Sequence, residues 1–181
     1  LISLVILYGF FKYIGVPRLV DPSKLIPVEP GMVGEALVFS VPLFFAGYFV
    51  VMRLSGEKYL LGSYSLFFIL RLLIAFILAF IFFFDDEKAF HFAAISRNFG
   101  FFLWQPVKAY YNFSNVIYEI FGENILMLRM FNVFLVSLLP FLAMDIAKNI
   151  FGDERASKRA MLYTGLMPPL IIFSAVALKE I

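Results

Sequence analysis

An apolar run covering residues 66–84 ends abruptly at three acidic residues, Asp85, Asp86 and Glu87. The run holds a single charge, Arg71, and its length of about 19 residues nearly spans the hydrocarbon core of a bilayer at ~1.5 Å per residue. The sequence therefore predicts a membrane helix that delivers a cluster of carboxylates to the boundary between lipid and water.

Composition places the rest of the chain in the same class. Apolar residues make up 62% of the sequence and charged residues only 15%, and the mean hydropathy is +0.92. Soluble domains are roughly half apolar and a quarter charged, so an integral membrane protein is predicted. A net charge of +2 without basic runs argues against nucleic-acid binding. The absence of cysteine excludes disulfides and thiolate metal sites.

The predicted fold is all-α, a polytopic transmembrane helical bundle with an amphipathic helix in the outward loop after the third span. The first part, residues 1–65, holds two transmembrane segments and a proline-rich loop. The second part, residues 66–181, is the transmembrane core, in which Pro168-Pro169 interrupt the last span. The five predicted spans cover residues 1–16, 35–52, 66–84, 125–146 and 159–178.

Charge predicts how this bundle is oriented. The short links 53–65 and 145–159 hold Lys and Arg close to the membrane, whereas the cations on the other side are diluted over longer loops. Short basic links favour the cytoplasm, so the outward loop 85–123 and the pair Lys179-Glu180 are predicted on the non-cytoplasmic side of a cell or inner membrane. The six cations of the short links are Arg53, Lys58, Lys148, Arg155, Lys158 and Arg159.

The acidic cluster carries the first candidate chemistry. One carboxylate of Asp85 and Asp86 could act as a general base while its neighbour raises its pKa by repulsion. Equally, the three acids could cap an amphipathic helix lying on the outer leaflet, because acids favour a helix N-terminus. A divalent cation is a third occupant of such a cluster. His91 is the only histidine, and packing is the commoner role for a lone histidine at an interface.

Arg129 carries the second candidate chemistry, because charges within spans are rare and usually face a cavity or a partner. It could bind an anionic head group, or it could pair with Glu119 or Glu123, or snorkel to the surface. Snorkelling would also explain Lys179. The aromatic residues Trp104, Tyr110, Tyr111 and Tyr118 are predicted to anchor the chain at membrane-belt depth.

Taken in order, several segments resemble the polytopic GT-C glycosyltransferases that use polyprenyl-phosphate sugars, particularly the protein-mannosyltransferase-like branch. The resemblance covers about residues 66–181, and the order and spacing of the segments carry it. The segments are Asp85-Asp86-Glu87-Lys88-Ala89-Phe90-His91, then Gln105-Pro106 before Tyr110-Tyr111, then residues 118–124 with Leu128-Arg129-Met130-Phe131-Asn132, and finally residues 150–160, Pro168-Pro169 and residues 174–180.

The resemblance implies an enzyme that transfers a sugar from a polyprenyl-phosphate donor to an acceptor on the non-cytoplasmic side. It implies that Asp85 or Asp86 activates the acceptor, and that Arg129 and Lys179 hold the donor phosphate. Glu180 would orient Lys179 or a metal ion. The implied substrate-binding set is Glu87, His91, Arg129, Lys179 and Glu180.

Two other interpretations remain open at the level of sequence. Family enzymes have roughly twice as many spans, so the chain is expected to be a fragment, the N-terminal half, or a reduced form. A reduced form would be a non-catalytic structural subunit of a larger membrane protein complex. Half of a transporter is the third interpretation, because prolines break the spans.

Overall fold

A computed structural model of the chain describes residues 28–55, 58–81, 91–92, 95 and 106–175. The described chain is helical and holds no strand, which confirms the all-α prediction for these residues. Three helices, α1, α2 and α4, are long and apolar enough to cross a membrane. The helices are α1 (Pro30–Ser55), α2 (Lys58–Ile81), α3 (Pro106–Phe121), α4 (Ile125–Phe151), α5 (Glu154–Leu166) and α6 (Pro168–Ser174).

Two ends of the bundle can be distinguished from the helix contacts. Asn124, immediately before α4, donates through Nδ2 to the carbonyl of Met32 at 2.9 Å and to Glu35 at 3.1 Å, both in the first turns of α1. Since α2 packs on α1 after only two intervening residues, α2 runs back and ends beside the start of α4. We call this the Asn124 end and the opposite end, where α4 stops, the Gly152 end.

Local hydrogen bonds cap both ends of α4. The Asn124 side-chain oxygen accepts the Leu126 N–H at 3.0 Å, as an N-cap does. Gly152 takes a left-handed conformation, with φ of 63°, and donates to the Lys148 carbonyl at 2.9 Å. Asp153 then caps α5 through the N–H groups of Arg155 and Ala156. The predicted link 145–159 is therefore wrong, because only two of its residues are non-helical.

Proline chemistry ends α5 inside the bundle, as predicted. A continuing helix would pair the carbonyls of Thr164 and Gly165 with the N–H groups of residues 168 and 169, which are prolines and have none. Met167 is extended (ψ 116°), as expected for a residue before proline. Two short helices, α5 and α6, therefore replace the single span predicted over 159–178.

Arg71 of α2 supplies one of the missing donors. Its Nη2 donates to the Gly165 carbonyl at 3.0 Å, and its Nη1 donates to the Phe67 carbonyl at 3.1 Å. The side chain is fully buried, and its Nε has no hydrogen-bond partner among the described residues. A residue that appears in the sequence as the lone charge of a span therefore closes the break between α5 and α6.

Aromatic rings fill the space between α1, α2 and α4. The ring centroid of Phe44 lies 5.5 Å from that of Tyr64 and 5.4 Å from that of Phe68. Phe141 of α4 lies 6.2 Å from both Tyr64 and Phe67. α5 approaches this layer through Gly165, where an added Cβ would overlap the Phe67 ring.

Adding one methyl group at two glycines is expected to have opposite effects. Gly165→Ala should lower the free energy of unfolding by about 1–3 kcal/mol, because the buried Phe67 ring would have to move. Gly62→Ala in α2 meets no atom within 4 Å and should raise it by about 0.5–1 kcal/mol through helix propensity. Thermal and denaturant unfolding in detergent measure both, and equal effects would contradict the close approach of α5.

Candidate functional site at the Asn124 end

The predicted site residues divide into two groups. Asp85, Asp86 and Glu87 lie outside the described residues, as do Lys179 and Glu180, so their roles and their meeting in one site stay predictions. The predicted amphipathic helix after Asp85 also lies largely outside them, although His91, Phe92 and Ile95 are helical. The structure places the two remaining site residues, His91 and Arg129.

Arg129 is fully buried near the start of α4. Its Nη1 donates to the Ala75 carbonyl of α2 at 3.1 Å, which links the first turns of α4 to the last turns of α2. Arg129 lies four residues into its helix, or about 6 Å from the Asn124 end at the helical rise. Snorkelling is therefore a wrong prediction for this side chain, because its head group is enclosed by protein.

Asn132 lies one turn further along α4 and is also buried. Its Nδ2 reaches the Tyr110 hydroxyl of α3 at 3.4 Å, a long hydrogen bond. On α3, the Ser114 hydroxyl donates a hydrogen bond to the Tyr110 carbonyl at 2.8 Å. Asn115 is only 2% exposed, and neither atom of its amide has a hydrogen-bond partner among the residues that the structure describes. Neutral polar groups thus line the contact between α3 and α4.

His91 belongs to the same region. Its Nδ1 lies 2.6 Å from the Tyr118 hydroxyl of α3, and the tautomer decides which of the two donates. The two rings meet edge to face with centroids 5.6 Å apart. Tyr118 is only 7% exposed, so its predicted anchoring role at the membrane belt is wrong: its hydroxyl faces a protein partner.

We refer to six polar side chains of α3 and of the first two turns of α4 as the polar layer; five of them are buried and Tyr110 is half-buried. Apolar contacts among Ile117, Tyr118, Met127 and Leu128 hold the two helices together beside it. Polar groups at membrane depth are costly unless they are paired or used in function, so such a layer marks a candidate site. The layer consists of Tyr110, Ser114, Asn115, Tyr118, Arg129 and Asn132.

Sequence reasoning did not assign the α3 residues of the polar layer to a site, because residues 106–121 belong to a predicted loop. The helical spacing of Tyr110, Ser114, Ile117 and Phe121, at intervals of three or four residues, was the available signal for an amphipathic helix. This segment faces α4 with these residues and exposes Val116, Glu119 and Ile120 on the other side. Among residues 28–55, 58–81, 91–92, 95 and 106–175, no three metal-binding side chains come together.

In comparisons with known proteins, no family model matches the chain, and neither a curated protein nor a solved structure is significantly similar to it. The family resemblance therefore stays a hypothesis that depends on motif order alone. The described residues are helical, and three of their helices are long and apolar enough to span a membrane. The polar layer is the remaining physical guide to function.

Proposed function

We propose that this chain forms the N-terminal half of an integral-membrane glycosyltransferase of the GT-C type. It would transfer a sugar from a polyprenyl-phosphate donor to an acceptor at the non-cytoplasmic face. The predicted orientation places the Asn124 end at that face. The observation that carries the proposal is a fully buried arginine, Arg129, within a polar layer close to this end of the bundle.

The placement of Arg129 supports this proposal. Its contact at Ala75 is six residues, or about 9 Å of helix, before α2 ends at Ile81. Asp85 and Asp86 follow four and five residues after Ile81 in the sequence. The candidate base and the candidate phosphate-binding cation are therefore attached to the same end of the same pair of helices.

The proposed reaction assigns a role to each group. A carboxylate of Asp85 or Asp86 takes the proton from the acceptor hydroxyl, whose oxygen forms a bond to the anomeric carbon. The bond from that carbon to the phosphate oxygen breaks, and polyprenyl phosphate leaves with the electron pair. Arg129 and Lys179 stabilise the negative charge that develops on the phosphate, while Glu87, His91 and Glu180 line the binding site.

A non-catalytic structural subunit is the second candidate. The specific observation in its favour is that Arg71 and Arg129 both donate to backbone carbonyls of neighbouring segments. An arginine used in this way joins helices. The two candidates differ in one respect, because only the enzyme requires a guanidinium donor to be available to a ligand phosphate.

Exchange of Arg129 in the complete protein tests the proposal. With polyprenyl-phosphate-mannose and polyprenyl-phosphate-glucose as donors, Arg129→Gln should raise the donor KM by about 10- to 100-fold through loss of a charged hydrogen bond. Arg129→Lys should retain part of the affinity. Arg53→Gln, at an exposed arginine of the Gly152 end, is the matched control and should leave the KM unchanged.

Thermal unfolding of each variant separates a binding defect from a folding defect. An unfolding midpoint that falls for Arg129→Gln with no change in donor KM would show that Arg129 joins helices and does not bind the donor. Absence of transfer by the wild-type protein from either donor would remove the proposed activity.

A further inference from the structure

We propose that the Gly152 end is a binding surface for anionic phospholipid head groups, formed by Arg53, Lys148, Arg155 and Arg159. This surface lies at the opposite end of the bundle from the candidate site and does not depend on the proposed catalytic activity. It depends on the chain being embedded in a membrane with the Gly152 end on the cytoplasmic side. We call these four side chains the basic surface.

Three helix ends place the cations of the basic surface at the same end of the bundle. Arg53 lies in the last turn of α1, and Lys148 lies in the last turn of α4. Arg155 and Arg159 are four residues apart in the first turns of α5, on one face of that helix. Because Gly152 and Asp153 are the only residues between α4 and α5, the cations of these two helices share one boundary. All four side chains are exposed.

The neighbouring acids have hydrogen-bond partners within the chain. Both Asp153 oxygens accept backbone N–H groups at the start of α5, and Glu154 pairs with Lys158 at 2.6 Å. The hydrogen bond and the positive charge of Lys158 lower the pKa of Glu154, with Lys148 adding to the effect. Asp145 accepts from Asn149 at 3.5 Å. No ion pair within the described part of the chain neutralises the basic surface.

The exposed face of α5 shows how this end meets the membrane. Along the helix, the exposed residues change from Arg155 and Arg159 to Tyr163 and then to Leu166, over about 17 Å of helical rise. Cation, then tyrosine, then aliphatic residue is the order from head group to interface to acyl chain. Tyr163 is 76% exposed, which suits a residue facing lipid.

Apolar neighbours identify lipid rather than a soluble acidic protein as the occupant. Ile150 and Phe151 are 68% and 69% exposed within one turn of Lys148. The Arg53 guanidinium lies 5.2 Å from the centroid of the exposed Phe49 ring, one turn back along α1. Cations set beside exposed apolar groups bind where a charged head group adjoins hydrocarbon.

The side chains described at the Asn124 end include four exposed carboxylates. The leaflet at the Gly152 end, where the basic surface lies, is cytoplasmic under the positive-inside rule, and anionic lipid in that leaflet would be attracted to the basic surface. The carboxylates are Glu29, Glu35, Glu119 and Glu123.

Thermal unfolding in two kinds of nanodisc tests the basic surface. Phosphatidylcholine discs are compared with discs in which about one-third of the lipid is phosphatidylglycerol, and the wild-type midpoint should be higher in the anionic discs by about 5 °C. The triple variant Lys148→Gln/Arg155→Gln/Arg159→Gln should lose most of that difference while unfolding normally in phosphatidylcholine. Inorganic phosphate added to phosphatidylcholine discs should not reproduce the effect, because the head group must lie at the membrane boundary.

A second charge variant distinguishes the basic surface from net charge. Glu119→Gln/Glu123→Gln raises the net charge by two at the Asn124 end and should leave the lipid dependence unchanged, whereas an effect of net charge alone would increase it. If the triple variant does not fold, native mass spectrometry of wild type and Arg155→Gln should still show fewer retained phosphatidylglycerol molecules on the variant. Equal midpoints of the wild type in both discs, or an undiminished difference in the triple variant, would overturn the proposal.

Cysteine labelling measures the orientation of the bundle directly, because the 181-residue chain has no cysteine of its own that would react. Single replacements Glu154→Cys and Glu123→Cys, both at exposed positions, place one thiol at each end. A membrane-impermeant maleimide added outside intact cells should label the second and spare the first. Labelling of Glu154→Cys from outside would place the basic surface on the wrong leaflet and reject the lipid proposal.

Discussion

Replacement of Arg71 by methionine is expected to lower the free energy of unfolding by about 1–3 kcal/mol. Methionine has a similar reach but no donor, so the Gly165 carbonyl loses its partner inside the bundle. Water cannot replace the guanidinium in a region enclosed by protein and lipid. Removal of the buried charge, whose Nε has no partner in the described part of the chain, offsets part of this loss.

A mutant cycle with the prolines makes this prediction specific. Pro168→Ala/Pro169→Ala restores the two N–H groups that would pair with the carbonyls of Thr164 and Gly165 in a continuous helix. Replacing the prolines should therefore lower the free energy of unfolding less in the Arg71→Met protein than in the wild type, or should raise it. We expect a coupling of about 1 kcal/mol or more between the two changes, measured by unfolding in detergent or bilayer.

The exposed Arg53→Met is the matched control for loss of an arginine. It should change stability by less than about 0.5 kcal/mol, because Arg53 makes no buried hydrogen bond. Additive effects of Arg71→Met and the proline replacements would show that the guanidinium does not substitute for the missing backbone donors.

Replacement of both Asp85 and Asp86 by asparagine is expected to reduce sugar transfer by about 10²- to 10⁴-fold or more in the complete protein. Asparagine keeps the size and much of the hydrogen bonding of aspartate but cannot accept the acceptor proton at neutral pH. The single variants should differ, because only one carboxylate need act as the base while the other adjusts its pKa.

Two further measurements test whether the two aspartates act specifically in the chemical step. Glu123→Gln removes an exposed carboxylate at the same end of the bundle and should leave transfer unchanged. The donor KM of the double variant should change far less than its kcat, because the proposed role belongs to the chemical step. Undiminished transfer by Asp85→Asn/Asp86→Asn would remove the general-base assignment and leave the acids as a helix cap.

The positions of the long helices followed from hydropathy, but their ends did not. The span predicted over 66–84 is a helix over Lys58–Ile81, so it begins eight residues earlier. The polar residues between 58 and 65 predict a link. In the helix, however, the Ser65 hydroxyl donates to the Leu61 carbonyl, so this polar group is satisfied without contact with water. The helix α4 likewise continues to Phe151 with charged residues exposed at the Gly152 end.

The site was harder to predict because it depends on contacts between distant segments. Arg129 was recognised as unusual from its place within a span, but its contact with Ala75 is 54 residues away in sequence. The pairing of His91 with Tyr118 requires α3, which hydropathy does not detect because the helix is amphipathic and short. Local patterns predict helices, whereas the partners of their polar residues require a packed structure.

The hydrogen bond between Arg71 and Gly165 also constrains the order of biogenesis. Its two residues are 94 positions apart, so a ribosome adding 5–20 residues per second would take about 5–20 s to deliver the second after the first. During that interval the guanidinium of α2 has no carbonyl of α5 to bind. Release of α2 from the insertion machinery into lipid is therefore best delayed until α5 has been synthesised.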